Sequence, residues 1–379
     1  MKNFFYIGII SLILFEFLNV YFIMPLPGSQ RIRSIDFAYF LYTWRWAFRG
    51  VFSLILLIGF LKAFQASKWF TLAGILLVLS TIYVFNFEMA ADTMFYQPKD
   101  LQMKNAQSNK VEKNRIILGI ELNGEAKAYP IALIAYHHQV LDTIAGKPIM
   151  VTYCSVCRTG RIFEPLVNGK SEKFRLVGMD HFNAMFEDAT TKSWWRQANG
   201  EAITGKLKGQ MLPELLSQQT SVEKWLALHP NSLIMQPDFN FKTKYDSTAK
   251  YESGKSKSDL TRTDSLSWKD KSWVVGIELG KDSKAFDWLR LKRERVINDQ
   301  VGNQPVLVVL AADNKSFFAF ERPTKEARFF IKNDTLNIDN KRFTLNGNSV
   351  DKSSSLKPIK AYQEFWHSWQ TFHPATKKY

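Results

Sequence analysis

The chain has 379 residues, of which 46% are apolar, 14% aromatic and 22% charged, which excludes a wholly disordered protein. Two cysteines exclude a disulfide-rich small domain and any site that needs four thiolates from one chain. Fifty Lys and Arg against 35 Asp and Glu give a net charge of +15. Because no recognition motif accompanies this charge, we expect a basic surface near anionic lipid and no nucleic-acid partner.

Residues 1–92 are predicted to form a multi-pass membrane region. The predicted spans are the apolar runs 4–24, 46–61 and 69–87. The first run is long enough to cross a hydrocarbon core of about 30 Å. Prolines at 25 and 27 follow it where a signal peptide would have small residues and a cleavage site, which favours a retained helix. The lipid bilayer is therefore a predicted partner.

Charged residues within these runs have two expected positions. Glu16 lies in the middle of the first run, so we expect it to face another helix. Arg45 and Arg49 lie near the start of the second run, and we expect both to extend to the lipid head groups. Three spans place the two ends of the chain on opposite sides of the membrane. The Lys and Arg count slightly favours a cytoplasmic C-terminal portion.

The rest of the chain contains a predicted tandem repeat. The segment 116–129 resembles 273–286 at an offset of 157 residues, from Ile116 to Trp273. A shared Trp-x-x-x-His-Pro motif follows at an offset of 144, from Trp225 to Trp369. The predicted divisions are a first repeat over 112–237, a polar linker or surface loop over 238–271, and a second, degenerate repeat over 272–379.

Each repeat is rich in strand and hairpin patterns. Asn123-Gly124 and Asn168-Gly169 each separate two strand-like segments, and both dipeptides tolerate the positive φ angles of a type I′ turn. Residues 130–141 are typical of a short helix with proline in its first turn. The predicted fold is thus α+β: a β-rich soluble module of two similar halves after three transmembrane helices.

Both cysteines occur in one motif, Cys154-Ser-Val-Cys157, between an apolar strand and a turn. Such a pair can cycle as a redox couple, bind a metal with further ligands, provide one nucleophilic thiolate, or serve only in packing. Arg158 stands where haem attachment requires histidine. Gly160 and a strand follow, so the helix N-terminus of a thioredoxin-like site is a poor match.

Metal binding would need more ligands than the two thiolates. A structural zinc site takes four ligands, and the nearby histidines are His137, His138 and His181. Copper(I) accepts thiolate together with histidine or methionine, and Met179 and Met185 are close in sequence. The candidate metal set, for copper or zinc, is Cys154, Cys157, His138 and His181.

The second repeat lacks the residues of this motif. At the offset of 157, the cysteines correspond to Ala311 and Asn314, and His138 corresponds to Arg295. A purely structural pair would be expected in both copies. The difference therefore favours one functional copy and one scaffold copy.

These residues also carry a family resemblance. The chain resembles the family called domain of unknown function 3179 over about residues 112–379. The matching features are Tyr153-Cys-x-x-Cys-x-Thr-Gly160, Phe163, Gly169, Phe174, Gly178, Asn183, Met185, Trp194-Trp-Arg-Gln197, Gly200-Glu-Ala-Ile203, Gly205, Trp225 and His229-Pro230. The resemblance implies an exported or membrane-anchored protein, so we expect the soluble module outside the cytoplasm. It implies no activity, and it ranks His138 above His137.

Two classes of function follow from these patterns, and whether the protein is an enzyme stays open. One is thiol redox or metal handling by the cysteine pair. The other is a non-catalytic, membrane-anchored module that engages a protein or small molecule, with the pair as a structural staple. We expect Trp194–Gln197 to be an aromatic core covered by Arg196, and His229 and His373 to stabilise structural turns.

Overall fold

The computed structural model describes residues 1–379, which divide into two compact units. The first unit consists of Met1–Tyr96, Glu172–Arg196 and Glu201–Met211. The second consists of Gln97–Ser171, Gln197–Gly200 and Leu212–Tyr379. Most of the segment 172–211 therefore groups with the N-terminal helices, although the predicted first repeat, 112–237, contains it.

The α-helices are α1 (Lys2–Tyr21), α2 (Ile35–Thr43), α3 (Arg45–Ala66), α4 (Lys68–Tyr83), α5 (Ala91–Met94), α6 (Ile131–His137), α7 (Val222–Leu228), α8 (Lys242–Glu252), α9 (Trp288–Glu294) and α10 (Trp366–Phe372). The strands up to Met235 are β1 (Met103–Lys104), β2 (Ile116–Leu122), β3 (Glu125–Pro130), β4 (Gln139–Ile144), β5 (Lys147–Cys154), β6 (Thr159–Phe163), β7 (Leu166–Val167), β8 (Lys170–Ser171), β9 (Phe174–Asp180), β10 (Asn183–Asp188), β11 (Trp194–Arg196), β12 (Ala202–Thr204), β13 (Glu214–Leu215), β14 (Gln218–Ser221) and β15 (Leu233–Met235). The later strands are β16 (Trp273–Leu279), β17 (Asp282–Asp287), β18 (Val296–Val301), β19 (Gln304–Leu310), β20 (Phe317–Glu321), β21 (Phe330–Lys332), β22 (Thr335–Ile338), β23 (Lys341–Phe343), β24 (Tyr362–Phe365) and β25 (Lys377–Lys378).

In the first unit, three helices are long and apolar enough to cross a membrane, as predicted: α1, α3, and α4 with its π-helical continuation to Glu88. Two glycines let α1 and α3 approach closely. A Cβ on Gly59 would lie 2.1 Å from the backbone nitrogen of Phe5, and one on Gly8 would lie 2.6 Å from Leu56. Helices that pack in lipid commonly use small residues at such contacts.

Glu16 of α1 and Arg49 of α3 form a polar cluster with Asn86, which lies in the π-helical continuation of α4. The Arg49 guanidinium donates to both carboxylate oxygens of Glu16, at 2.6 and 2.8 Å, and to Asn86 Oδ1 at 2.7 Å. Asn86 Nδ2 donates to Glu16 Oε2 at 2.9 Å. The expectation that Glu16 faces another helix is confirmed. The expectation that Arg49 extends to the head groups is wrong, because the buried Glu16 carboxylate provides a partner within the helices.

The first unit also contains an antiparallel sheet in the order β12-β11-β10-β9. Trp194 and Trp195 are fully buried, and their indole nitrogens donate to Glu187 and Asp188 at 3.0 and 2.9 Å. Trp194 packs in one cluster with apolar side chains of the N-terminal segment, including Ile23. These tryptophans therefore belong to a core, as predicted.

The second unit is built from several small sheets. The longer ones have the orders β1-β15-β3-β2-β14, β13-β6-β5-β4 and β24-β16-β17-β25, and shorter ones have the orders β18-β19-β20 and β21-β22-β23. The hairpin predicted at Asn123-Gly124 joins β2 to β3, with φ angles of 51° and 85°. The observed α+β class with many strands agrees with the prediction.

Within this unit, strand pairings recur at the sequence offsets of the predicted repeat. Ile117 pairs with Pro130 between β2 and β3, and Val274 pairs with Asp287 between β16 and β17. β15 runs parallel to β3, as β25 runs parallel to β17. Trp225 of α7 packs on Gly119, and Trp369 of α10 packs on Gly276, so helix and strand meet in the same way in both regions.

The polar segment 238–271 was predicted as a linker or loop, and it contains α8. The helix buries Tyr245, which packs against Tyr136 and His137 of α6, and Tyr251, which packs against Tyr153. The rest of the helix is mostly polar and lowers the mean hydropathy of the segment. Two apolar contacts spaced six residues apart were too weak a periodic pattern to predict a helix.

Candidate functional site

The cysteine motif forms the turn between β5 and β6. Cys154 ends β5 and pairs with Thr159 of β6, while Cys157 lies within the turn. Both cysteines are fully buried, and no disulfide joins them. Arg158 closes the turn with a φ angle of 56°. The turn therefore holds both sulfur atoms in the interior of the second unit.

Arg158 fixes the turn from one side. Its guanidinium lies 3.6 Å from the ring centroid of Trp273 and is 1% exposed. It donates to Gln363 Oε1 and to the carbonyl of Glu252, each at 3.0 Å. A buried guanidinium with several acceptors resists displacement, so the conformation of the turn is well determined.

Lys271 places a partly buried ammonium group beside the turn. Its Nζ donates to the carbonyl of Val156 at 2.9 Å and to that of Leu260 at 2.7 Å, and it lies 3.1 Å from His367 Nε2. Burial lowers the pKa of Lys271, and its interactions with Cys157 and Cys154 oppose that shift. The same attraction favours the thiolate form of a neighbouring cysteine.

His367 completes this side of the site. Its Nε2 lies 3.1 Å from the carbonyl of Val156, the residue before Cys157. Burial and the charge of Lys271 lower the pKa of His367 to about 3, so the imidazole is neutral near pH 7. The neighbouring strand is tied to the turn as well, because the amide of Phe365 donates to the carbonyl of Cys157 at 2.9 Å.

His138 contacts the residue that precedes the cysteine motif. Its Nδ1 is 2.7 Å from the carbonyl of Tyr153, the residue before Cys154. Burial lowers the pKa of His138 to about 4. At the corresponding position Arg295 bonds to the carbonyl of Ala311 and to Asn314 Oδ1, at the places that correspond to the two cysteines.

Two tyrosines border Cys154. The hydroxyl groups of Tyr153 and Tyr251 are 3.0 Å apart. Burial raises the pKa of Tyr153 to about 12 and that of Tyr251 well above its usual value, so both stay neutral. The helix α8 positions Tyr251 here, which gives this segment of polar sequence a place in the site.

His181, the other predicted ligand, belongs to the first unit. It lies in the turn between β9 and β10, with its Nδ1 2.6 Å from Asp180 Oδ1. Asp180 in turn accepts from Arg196 at 2.7 Å. No group of three or more His, Cys, Asp or Glu side chains is arranged to hold a metal ion. Metal binding by Cys154, Cys157, His138 and His181 stays a prediction.

Sequence reasoning missed Lys271, His367 and Tyr251. Lys271 is one of many lysines in a polar segment, and His367 differs from the paired histidines His229 and His373 because only one half has it. No local pattern distinguishes such residues. The difference between the two predicted repeats was the one available signal, since it indicated which of them should be searched for a functional site.

A family model described as "Protein of unknown function (DUF3179)" matches residues 97–376. This chain belongs to the DUF3179 family. The match includes the cysteine turn, Lys271 and His367, and it omits the three candidate membrane helices. No curated protein and no solved structure matches this DUF3179 protein.

Proposed function

We propose that this protein is a membrane-anchored thiol–disulfide redox protein whose active pair is Cys154 and Cys157. The observation that supports the proposal is the ammonium group of Lys271, held beside the turn by the carbonyls of Val156 and Leu260. A cation held next to a thiol stabilises the thiolate, which is the reactive form in disulfide exchange. We take Cys157 as the attacking thiol, because it directly follows Val156, whose carbonyl accepts a hydrogen bond from Lys271.

The proposed reaction oxidises this pair and reduces a disulfide of a partner protein. The Cys157 thiolate attacks one partner sulfur, which forms a mixed disulfide and releases the other partner sulfur as a thiolate. Cys154 then loses its proton and attacks Cys157 Sγ, which forms the Cys154–Cys157 disulfide and releases the second partner thiolate. Two electrons pass to the partner, whose two thiolates take up protons. Since both cysteines are buried, the step requires local opening of the turn.

The proposal includes an internal duplication with divided roles. The recurring strand pairings and the Trp-on-Gly contacts at offsets of 157 and 144 support a duplicated unit. The first half carries the thiols. Lys271, just before the second half, and His367, within it, supply the polar groups beside them. A duplicated frame would thus have specialised one copy for chemistry and the other for support.

We also propose that the three candidate spans cross the membrane and that the second unit lies outside the cytoplasm. Length and apolar character of the three helices support the anchor. The location rests on the resemblance to exported family members. Such a location would expose the pair to partners that carry disulfides.

The central test replaces Lys271 by methionine, with Lys269→Met as the matched control. Lys269 is an exposed lysine of the same segment. We expect Lys271→Met to raise the thiol pKa, read from thiolate absorbance in the ultraviolet. The reduction potential should fall by about 30 mV for each tenfold loss of thiolate stabilisation, measured against dithiothreitol buffers. Unchanged values in Lys271→Met would remove the support for the redox proposal.

Metal analysis with thiol titration separates the remaining possibilities. We expect the purified full chain to contain no stoichiometric copper or zinc and to form one disulfide reversibly under mild oxidation. If the wild type contains stoichiometric metal and Cys154→Ser loses it, the redox proposal is wrong and metal handling takes its place.

Full burial of the pair is the observation that favours the alternative, a structural staple. The double variant Cys154→Ala with Cys157→Asn copies the residues of the second half. If the pair is redox-active, this variant should fold and lose disulfide exchange. If the pair is a structural staple, the variant should lose about 2–5 kcal/mol in the free energy of unfolding under oxidising conditions. Reductant should then lower the free energy of unfolding of the wild type to that of the variant.

A further inference from the structure

A cavity of about 390 Å³ lies in the second unit, between α8 and the segment that leads from β1 to β2. The start of α6 and the residues after β15 complete its walls. This volume is within the range of small-molecule sites. None of the residues that line the cavity belongs to the cysteine turn, so this site is independent of the thiol proposal.

The exposed part of the cavity wall is mostly apolar. Phe239 is 79% exposed, more than any other large apolar side chain, including those of the candidate membrane helices. Pro237 is exposed as well, and Val111 and Ala249 are partly exposed. Because these residues line one cavity, they form an apolar patch and not a set of single exposed side chains. A bound apolar chain would remove this patch from water, which is favourable.

Unpaired positive charge lies beside this apolar surface. Lys104, Lys110 and Lys242 line the cavity, and the structure gives no hydrogen bond or ion pair to any of the three ammonium groups. The fourth cation of the lining, Arg115, is already paired with Glu252 at 3.3 Å. The three lysines are therefore available to a ligand with negative charge.

The carboxylates of the lining do not cancel these cations. Asp238 is buried, and it accepts hydrogen bonds from the backbone amides of Lys99, Asp100 and Asn240 at 2.8, 3.0 and 2.9 Å. Its charge is thus compensated within the chain. Glu112 and Asp246 are exposed, and neither is paired with a lysine of the cavity. Three unpaired cations against two unpaired carboxylates leave the cavity with a net positive charge.

We propose that this cavity binds an acyl chain with an anionic head group. The chain would pack on Phe239 and Ala249, and the carboxylate or phosphate would lie among Lys104, Lys110 and Lys242. A small inorganic anion would leave the apolar surface in water, and an uncharged chain would leave the lysines without a partner. Two sources share the proposed chemistry, a free long-chain fatty acid and an anionic phospholipid.

The test is photo-crosslinking of the full chain in nanodiscs of phosphatidylcholine. One arm adds oleic acid with a diazirine in its chain, and the other adds phosphatidylglycerol with the same group. Mass spectrometry maps the cross-links, and only those on residues 236–249 count, because the candidate membrane helices would contact lipid in any case. We expect at least one arm to label this segment.

Competition tests the contribution of the charge. The unlabelled anionic ligand should suppress labelling about tenfold more effectively than its uncharged analogue, which is oleyl alcohol in the first arm and diacylglycerol in the second.

A variant of the apolar wall tests the position of the chain. Ala249→Phe places a ring in the cavity from α8, and it should lower the labelling of residues 236–249 about tenfold. Ala227→Phe is the matched control, since it makes the same change at an exposed position of α7 outside the cavity. It should be labelled as the wild type is.

A charge variant protects the test against misfolding of Ala249→Phe. Lys110→Gln with Lys242→Gln should remove most of the preference for the anionic competitor. Lys244→Gln with Lys250→Gln is its control, because both lysines are exposed on α8 and lie outside the cavity. The proposal is overturned if neither arm labels the segment, if the uncharged competitors act as well as the anionic ones, or if the two lysine variants behave alike.

Discussion

At the scale of single residues, the site depends on imidazoles that burial keeps neutral. His138 is 2% exposed, and its pKa is lowered to about 4 from an ordinary 6.5. In the unfolded chain the same imidazole takes up a proton near pH 6.5. Its contribution to folding is therefore complete above that pH and is lost as the pH falls toward 4, at up to about 1.4 kcal/mol per pH unit.

We predict that His138→Asn makes the denaturation midpoint less sensitive to pH between about 6.5 and 4. Asparagine tolerates the positive φ of 57° at this position and does not titrate there. The measurement is thermal unfolding of the full chain across that pH range. Arg295→Asn is the matched control, with a φ of 63° at the corresponding position of the second half, and it should keep the wild-type slope. Equal slopes in wild type and His138→Asn would contradict the prediction.

Single residues also differ in whether the sequence alone can predict that they belong to the site. Cys154, Cys157 and His138 were found because a short motif and a missing counterpart distinguish them. Lys271 and His367 contact the carbonyl of Val156 from distant parts of the chain. A lysine becomes a site residue only when the fold places its ammonium group beside a thiol, and no local sequence pattern predicts that placement.

At the scale of elements, the membrane-type helices are joined by the Glu16–Arg49–Asn86 cluster. The Glu16 side chain is 1% exposed and that of Arg49 is 14% exposed.

We predict that Arg49→Met lowers the free energy of unfolding by about 3–5 kcal/mol, because it leaves the Glu16 carboxylate buried without its cation. Denaturant unfolding of the full chain in micelles would measure this loss. Glu88→Gln, which removes an acid from the end of the same helical region, is the control and should have little effect. The double variant Glu16→Leu with Arg49→Leu should recover most of the loss, and no recovery would contradict the ion-pair explanation.

A second element-scale prediction concerns the helix-on-strand contacts of the two halves. An added Cβ on Gly119 would lie 2.6 Å from the Trp225 ring, and one on Gly276 would lie 2.2 Å from the Trp369 ring. Gly119→Ala and Gly276→Ala should each destabilise the protein by about 1–3 kcal/mol or more, because the added methyl group would overlap a buried indole ring. Gly50→Ala is the control, since its added Cβ meets nothing within 4 Å. Thermal melts that leave either strand variant unchanged would argue against equivalent packing.

Elements differ in how well sequence predicts them. The Asn123-Gly124 hairpin was found because positive φ angles restrict residue choice. The apolar helices were found because length and hydropathy suffice. The helix α8 was missed because two buried tyrosines determine its position, and the polar remainder of the segment is typical of a loop.

At the scale of the whole molecule, the cluster in the helices removes the slight charge bias against the expected topology. An odd number of crossings places the two ends of the chain on opposite sides. On sequence alone, the arginines that favour a cytoplasmic second unit outnumber the opposing lysines slightly. The arginines are Arg31, Arg33, Arg45 and Arg49, and the opposing lysines are Lys2, Lys62 and Lys68. Arg49 is neutralised by Glu16, and Arg45 donates to the carbonyl of Tyr42 at 2.6 Å. Removing Arg49 from the count leaves the two sides balanced.

Because the count is then balanced, the resemblance to exported family members decides the orientation, and we predict that the second unit lies outside the cytoplasm. The test fuses a reporter at Tyr379 through a flexible linker, once with a domain active only outside the cytoplasm and once with one fluorescent only inside. Signal is expected from the first fusion alone.

Neutralising Lys2, Lys62 and Lys68 together should invert a fraction of the molecules, because the remaining arginines would then decide the orientation. Arg49→Met should leave the orientation unchanged, although it weakens the helix cluster, since Glu16 already cancels its charge. Signal only from the cytoplasmic reporter would contradict the predicted topology and would place the thiols in a reducing compartment, where a dithiol pair would be kept reduced.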